Sequence, residues 1–469
     1  MSIQLRDSQN RPSAQGLKNL PKGWSIKPLG EVVTRIVGGG TPSRNNPDYW
    51  KGDIPWLTVK DMRTTRPADA IDHISRAAVA DSSTNIVPAD TVIIATRVGL
   101  GKVIRVSYDA AINQDLKALI VPATIEKAFL EYWFLSIASY LESIGSGTTV
   151  KGIRLEQLKG LELPVPPIRD QRRIASEIEK QFTRLDAGVA ALRRTQANLK
   201  RYRAAVLKAA CEGRLVPTEA TLQRSKNYET GEQLLQRILT ERRQNWQGRG
   251  KYEEPAVPDT ANLPPLPKGW VWSSVDQLLR EPLCNGVSVK GSDNPPGVRA
   301  LRLSAMSNAG FDYSDARYLP LAESDVDDLL IQEGDFFMSR GNGSLHLVGR
   351  GTSAQKAPRP TIFPDTMIRL RLAESIRTLG WVRTLWPSRV IRSQIEARVK
   401  TTAGIYKIAQ PQVEGMVIPL PPLAEQTRIV AEVERRLSVV EELETVVTAN
   451  LQRVTRLRQS ILQQAFSGK

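Results

Sequence analysis

Cationic, amide and hydroxyl side chains gather where the apolar runs of this sequence break. Thr41, Ser43, Arg44 and Asn45 follow three glycines; Lys60 and Arg63 follow "IPWLTV"; Arg97 and Lys102 follow "TVIIAT". Further along, Arg302 and Ser304 follow "VRAL", and Arg340 and Asn342 follow "GDFFMS". Guanidinium and ammonium groups pair with phosphates, arginine donates to the guanine edge, and asparagine pairs with adenine. Residue types of this kind at strand ends point to binding of a polyanion. Sixty-five Lys and Arg against 49 Asp and Glu, a formal charge of +16, agree with that chemistry. The alternatives are a solvated basic surface with no partner and, for any one Asn or Gly, plain turn geometry.

Residues for bond-making chemistry do not assemble. His73 and His346 are the only histidines, too few for a metal cluster or a familiar triad. "RVGLGKV" departs from a phosphate loop, with Thr96 where glycine is needed and Val103 where Ser or Thr is needed. "GGGT" at Gly38–Thr41 lacks the spacing of a dinucleotide fingerprint. "NPPG" at Asn294–Gly297 lacks the aromatic of the Asn-Pro-Pro-aromatic signature of DNA amino-methyltransferases. The expectation is a chain with no catalytic residue, no metal site and no bound cofactor. Cys211 and Cys284 make no disulfide framework, which suggests a reducing cytoplasm. The first residues lack the apolar core of a signal peptide, and no uncharged apolar run reaches the roughly 18 residues of a membrane span.

The elements that must position these residues come in two copies. "LPKGW" occurs at Leu20 and again at Leu266; "PPIRDQRRI" at Pro166 is matched by "PPLAEQTRI" at Pro421, 255 positions later. Leu163–Ile178 and Ile418–Val433 share seven of sixteen residues. Each Pro-Pro phrase opens a heptad pattern: Ile178, Leu185, Leu192, Leu199 and Val206, then Val433, Val440, Val447, Val454 and Ile461. Ile174, Phe182, Val189, Ile429, Leu437, Leu443 and Leu451 support these seams, and Gly213 and Gly468 close the helices. The first helix, from about Ile168 to Cys211, would run about 65 Å at 1.5 Å per residue. Alone it would leave its seam wet, so the two helices are expected to pack as an antiparallel coiled coil with an internal pseudo-two-fold. Leu207 and Leu462 belong either to a partner interface or to a broadened core.

The fold class implied is α+β: two α+β domains separated by two long helices. The expected divisions are a flexible N-terminal extension (1–20), a first α+β domain (21–163), a central coiled-coil helix (164–213), a connector with a short helix (214–265), a second α+β domain (266–418) and a C-terminal coiled-coil helix (419–469). "TVIIATRVG" and "GDFFMSRGNG" read as strands ending in glycine, and Glu126–Ser143 as a helix closed by Gly145. "RTLGWVRTLWPSRVIRSQIEARV" is expected to take that helix's part in the second half. In the connector, "GEQLLQRILTERRQNW" sets Leu234, Leu235, Ile238 and Leu239 on one helical side.

This order of elements resembles the specificity subunit of type I restriction–modification systems. The likeness covers nearly the whole chain from Trp24. Pro421, Pro422, Glu425 and Gln426 match the family's Pro-Pro-x-x-Glu-Gln phrase, with Asp170 standing for Glu in the first copy. "GGGTPSRNNPDYWKGDIPWL" resembles the opening of the family's recognition domains, and "RLVPT" with "GEQLLQRILTERR" its central connector. The second recognition domain lacks the "GGGTPS" phrase. The resemblance implies a non-catalytic subunit of a multisubunit methyltransferase and endonuclease. Each recognition domain reads one half of a split, asymmetric site in double-stranded DNA, and the helices set the gap. Half-sites about one turn apart would keep both domains on one face of the duplex. The implied partners are two methylation subunits carrying S-adenosylmethionine and two motor/nuclease subunits using ATP and Mg²⁺, with no membrane. The rival readings are an autonomous DNA-binding or DNA-modifying protein and a coiled-coil scaffold.

Overall fold

The computed structural model describes residues 21–147, 150–223, 228–246, 251–307, 309–377, 380–402 and 404–466. The expected N-terminal extension and Gly468 lie outside the described residues. The chain forms two compact units, one of residues 1–194 and 447–469, the other of residues 195–446. Each unit holds one α+β region and part of each long helix.

In the first unit, Ser25–Pro28 pairs antiparallel with Glu162–Val165, which brings the two ends of the recognition region together just before Pro166 and Pro167. Between these ends stands an antiparallel sheet in the order Arg35–Gly38, Leu116–Ile120, Val92–Ala95, Val103–Arg105. All four residues of Val92–Ala95 are buried, as an unbroken β-branched run requires of a strand covered on both faces. A second sheet runs Asp72–Ile74, Ile54–Leu57, Ala110–Ile112, Asn85–Val87. The single helix expected over Glu126–Ser143 is two, Lys127–Ser136 and Ala138–Ile144. They part at Ile137 (φ −101°, ψ 10°), where the Ser136 hydroxyl bonds back to the Trp133 carbonyl. Glu131 on the first of these helices is fully buried and accepts from Arg66 Nη2 at 2.6 Å and Arg105 Nε at 3.0 Å. That clamp ties the loop carrying Lys60 and Arg63 to the helix.

The second unit repeats the plan. Val271–Ser274 pairs antiparallel with Val417–Leu420, and its main sheet runs Cys284–Asn285, Met367–Leu370, Phe336–Ser339, Gly351–Ser353. The strand order and directions are those of the first unit's antiparallel sheet. Buried Asp335 receives Arg371 Nε at 2.7 Å and Nη2 at 2.8 Å, fixing the base of the Phe336–Ser339 strand. The helical part is again segmented, into Trp381–Leu385 and Arg389–Arg398, because Pro387 interrupts it and Ser388 caps the next turn. The connector helix, Gly231–Gln244, starts from a Thr230–Gln233 capping box. Its Leu234, Leu235 and Ile238 are buried in a cluster with Trp270, Val275 and Leu279, while Leu239 is half-buried.

The long helices span Ile168–Cys211 and Leu423–Phe466, 44 residues each. Gly213 closes the first with φ +62°, the left-handed conformation of a helix C-terminus, and Arg214 N reaches the Ala209 carbonyl. Within the first unit the start of one helix lies against the end of the other, antiparallel: Ala175 and Ile178 share a cluster with Leu462 and Phe466, and Arg458 sits 5.0 Å over Phe182 and bonds Asp186. Within the second unit Val206 and Ala210 share a cluster with Ile429 and Val433, and Arg203 pairs with Glu444 at 3.3 Å. Of the seam positions, Ile178, Leu199, Val206, Val433, Val440 and Val447 are buried, and Leu185, Leu192, Val454 and Ile461 half-buried. Leu207 and Leu462 are buried too, so both broaden the core. Leu443 does not support the seam: it is exposed beside Val439 and Val446, while the next residue, Glu444, is half-buried and pairs with Arg203.

The glutamine of the repeated Pro-Pro phrase ties the helix start back to the chain that enters it. Gln171 Nε2 donates to the Pro166 carbonyl at 2.8 Å, and Gln426 Nε2 to the Pro421 carbonyl at 2.9 Å. Gln171 also donates to Thr124 O and accepts from Glu126 N at 2.8 Å. With three bonds from a buried side chain, Gln171→Ala should lower the unfolding free energy by about 2–3 kcal/mol, and Gln426→Ala by about 1 kcal/mol. Denaturant titration checks this; an equal loss in both would contradict the assignment of the difference to the extra bonds of Gln171.

Candidate nucleic-acid interfaces

In the first unit the candidate face forms where the antiparallel sheet ends. The turn after Val92–Ala95 is anchored from both sides: Thr96 N and Arg97 N donate to the Asp115 carbonyl at 2.9 and 3.3 Å, and Ile153 N donates to Thr96 O. Arg97 Nη1 stands 3.6 Å from Asp115 Oδ1 and remains more than half exposed. The Thr41 hydroxyl donates to Gln114, bringing the loop after the glycine run onto the same edge. Lys117 donates to its own strand's Leu116 carbonyl at 3.3 Å. Burial, reinforced by the positive charge of Arg97 and opposed by Asp115, lowers the Lys117 pKa. Lys117 thus holds its proton less firmly than an ordinary lysine and gains from an arriving phosphate. The glycine run has a steric cause: a Cβ on Gly39 would lie 1.9 Å from the Ile112 carbonyl oxygen.

Asp61 explains the second basic loop. Buried, it accepts from Thr58 N, Thr58 Oγ1 and Ile71 N at 2.7, 2.9 and 2.7 Å, so exposed Lys60 and Arg63 ride on a rigid turn. A Cβ on Gly99 would meet Val59 at 2.9 Å, which places this turn beside the Arg97–Lys102 turn. Arg44 lies 4.4 Å over the Trp50 ring, whose Nε1 donates to the Ser43 carbonyl; Asn45 N caps back to Ser43 Oγ. An exposed guanidinium held over an aromatic ring is preorganised for a planar acceptor.

The second unit treats its candidates unequally. Arg340 follows Phe336–Ser339 as Arg97 follows Val92–Ala95; its N donates to Thr366 O at 2.7 Å and its carbonyl accepts from Ile408 N at 2.9 Å. Next to it Gly341–Asn342 pairs with Ile405–Lys407, which pairs with Lys400–Thr402. Lys400 and Lys407 stand directly opposite each other, a like-charge pair that disfavours the ribbon unless an anion lies between them. Arg302, by contrast, pairs with Asp315 at 3.1 Å and with Asp293, and Ser304 donates to Asp315. Asn342 Oδ1 caps Ser344 N at 3.1 Å. The structure therefore joins Thr41, Arg97, Lys102 and the Lys60 turn at one face and Arg340 and Asn342 at another, and ties Arg302 and Ser304 into a carboxylate network.

Gln114, Lys117, Lys400 and Lys407 escaped the sequence reading. The polar break "NQDLK" between two apolar strands and the short "KTTAGIYK" hairpin were the signals available for them. His73 bonds Asp69, and His346 is exposed. Among the described residues no group of three or more His, Cys, Asp or Glu could hold a metal ion, and no helix is long and apolar enough to cross a membrane.

Comparison with known proteins decides the assignment. Residues 21–193 match the family described as the type I restriction modification DNA specificity domain. The EcoKI type I restriction enzyme specificity subunit of Escherichia coli K12 is 26% identical over 462 residues, covering 96% of this chain and 90% of that protein. Residues 21–193 therefore carry a type I restriction modification DNA specificity domain. The EcoR124I/EcoR124II specificity subunit of E. coli is 35% identical over 161 residues, 33% of this chain and 40% of that one. A solved chain from a study of type I system assembly and conformational transition has the same fold, with a TM-score of 0.63, 18% identity, and coverage of 96% of this chain and 98% of its own.

Two arginines separate binding from folding at these faces. Arg340→Ala should weaken DNA binding by about 1–3 kcal/mol with little change in stability. Arg302→Ala should chiefly destabilise, because it leaves Asp315 without its cation. Fluorescence anisotropy on duplex DNA and thermal melts of both variants check the split; the reverse pattern would contradict it.

Proposed function

We propose that this DNA sequence-recognition subunit uses its two units as separate readers, each for one half of a split, asymmetric site. The observation that carries this reading is a pair of sheets with one strand order, ending in differently composed basic faces. One presents Thr41, Arg97, Lys102, Gln114 and Lys117, the other Arg340, Lys400 and Lys407. A shared frame with different donors reads different base edges. The two long helices set the gap between half-sites and dock two methylation subunits. Val439, Leu443 and Val446, exposed at helical spacing, support such docking. S-adenosylmethionine stays on the methylation subunits, and ATP and Mg²⁺ on two motor/nuclease subunits; this chain performs no bond chemistry and works in the cytoplasm.

The test is co-expression with a cognate methylation subunit, with adenine methylation mapped across genomic DNA by long-read sequencing. Removing one matched heptad from each long helix should keep both half-motifs and change the gap between them. An unchanged gap contradicts the spacing role, and methylation by this chain alone contradicts the non-catalytic reading.

A further inference from the structure

One residue of the first unit's face is in a conformation that its side chain resists. Val98 has φ +44°, in the left-handed region that β-branched residues avoid. Its side chain is 48% exposed, so no core packing compensates. The surrounding turn imposes the conformation. Leu100 is buried, and Lys102 N bonds the Gly99 carbonyl. Gly99 and Gly101, both at positive φ, approach Val59 and the Ala138 carbonyl closely enough that a Cβ would lie at 2.9 and 2.8 Å. Arg97, immediately before it, is bonded through its backbone to Asp115. A strained residue held by everything around it is the pattern of a functional position.

We infer that Val98 is a specificity-determining residue of the first recognition face, which reads the C5-methyl group of a thymine. This inference rests on the DNA-recognition reading above. A branched apolar side chain fixed in solvent between Arg97 and Lys102 has little to offer a phosphate. In the major groove the thymine methyl is the one apolar feature of the base edges, and contact with it requires a rigid apolar group of this kind. The flanking cations hold the backbone while the valine tests the base.

The experiment uses the complex with its methylation subunit and duplexes bearing its mapped site. Each thymine of the half-sites is replaced in turn by deoxyuridine, which pairs identically and lacks only the methyl group. At one position in one half-site the wild-type complex should lose about fourfold in affinity, the equivalent of one buried methyl. Val98→Gly should bind the thymine and uracil duplexes equally, Val98→Ala, with one methyl left, should discriminate less than wild type, and Val98→Gly, freed of strain, should melt no lower than wild type. Wild type indifferent to every such replacement, or Val98→Gly retaining the discrimination, overturns the inference. Loss of binding to both duplexes alike overturns it as well, since the side chain would then serve the turn or wedge the bases apart. A wild-type complex that prefers no duplex sequence contradicts the recognition reading itself.

Discussion

The structure depends on one packing constraint, met separately inside each unit. A long amphipathic helix cannot leave its apolar stripe in water, and each half of the first helix hides its stripe on the opposite half of the second. Contacts such as Arg458 with Asp186, 272 positions apart, follow from it. The entropy of closing so long a loop rises only logarithmically with its length, so a modest apolar seam suffices. Each recognition region enters and leaves through one antiparallel strand pair just ahead of a Pro-Pro phrase. The glutamine that ties the following helix back to the first proline's carbonyl fixes that exit.

On this duplicated frame the two units have separated in content while keeping strand order. In both main sheets an arginine follows shortly after a fully buried inner strand, Arg97 in one and Arg340 in the other. Buried ion pairs hold each base: Glu131 with Arg66 and Arg105 in the first, Asp335 with Arg371 in the second. Such pairs contribute little net stability but penalise any rearrangement that would leave a charge unpaired. They therefore suit elements that must hold side chains at fixed positions against a base edge.

The parts legible in the sequence were those with a period or a repeat. Ile178 through Val206 and Val433 through Ile461 declared the helices, and "TVIIA" and "FFMS" declared central strands by being apolar without interruption. Tertiary facts were not legible. The helix breaks at Ile137, where the Ser136 hydroxyl bonds the Trp133 carbonyl, and Leu443 is exposed while its neighbour Glu444 meets Arg203. At the candidate faces, Arg and Lys in strand-end loops could be named from composition. Arg302 could not be told from Arg340 without seeing Asp293 and Asp315; Gln114 lies in a strand connection that carries no motif, and Lys117 is the second residue of the strand that follows. The left-handed Val98 has no sequence signature, since the glycines on its C-terminal side set the turn that forces it.

The central claim is that the two faces read separate halves of one site. The direct measurement compares methylation maps of two triple variants in complex with the methylation subunit. One carries Arg97→Ala, Lys102→Ala and Lys117→Ala; the other carries Arg340→Ala, Lys400→Ala and Lys407→Ala. Each should relax the sequence requirement of one half-motif and leave the other half and the gap intact. Relaxation of the same half by both, or of the whole motif by either, would contradict the account.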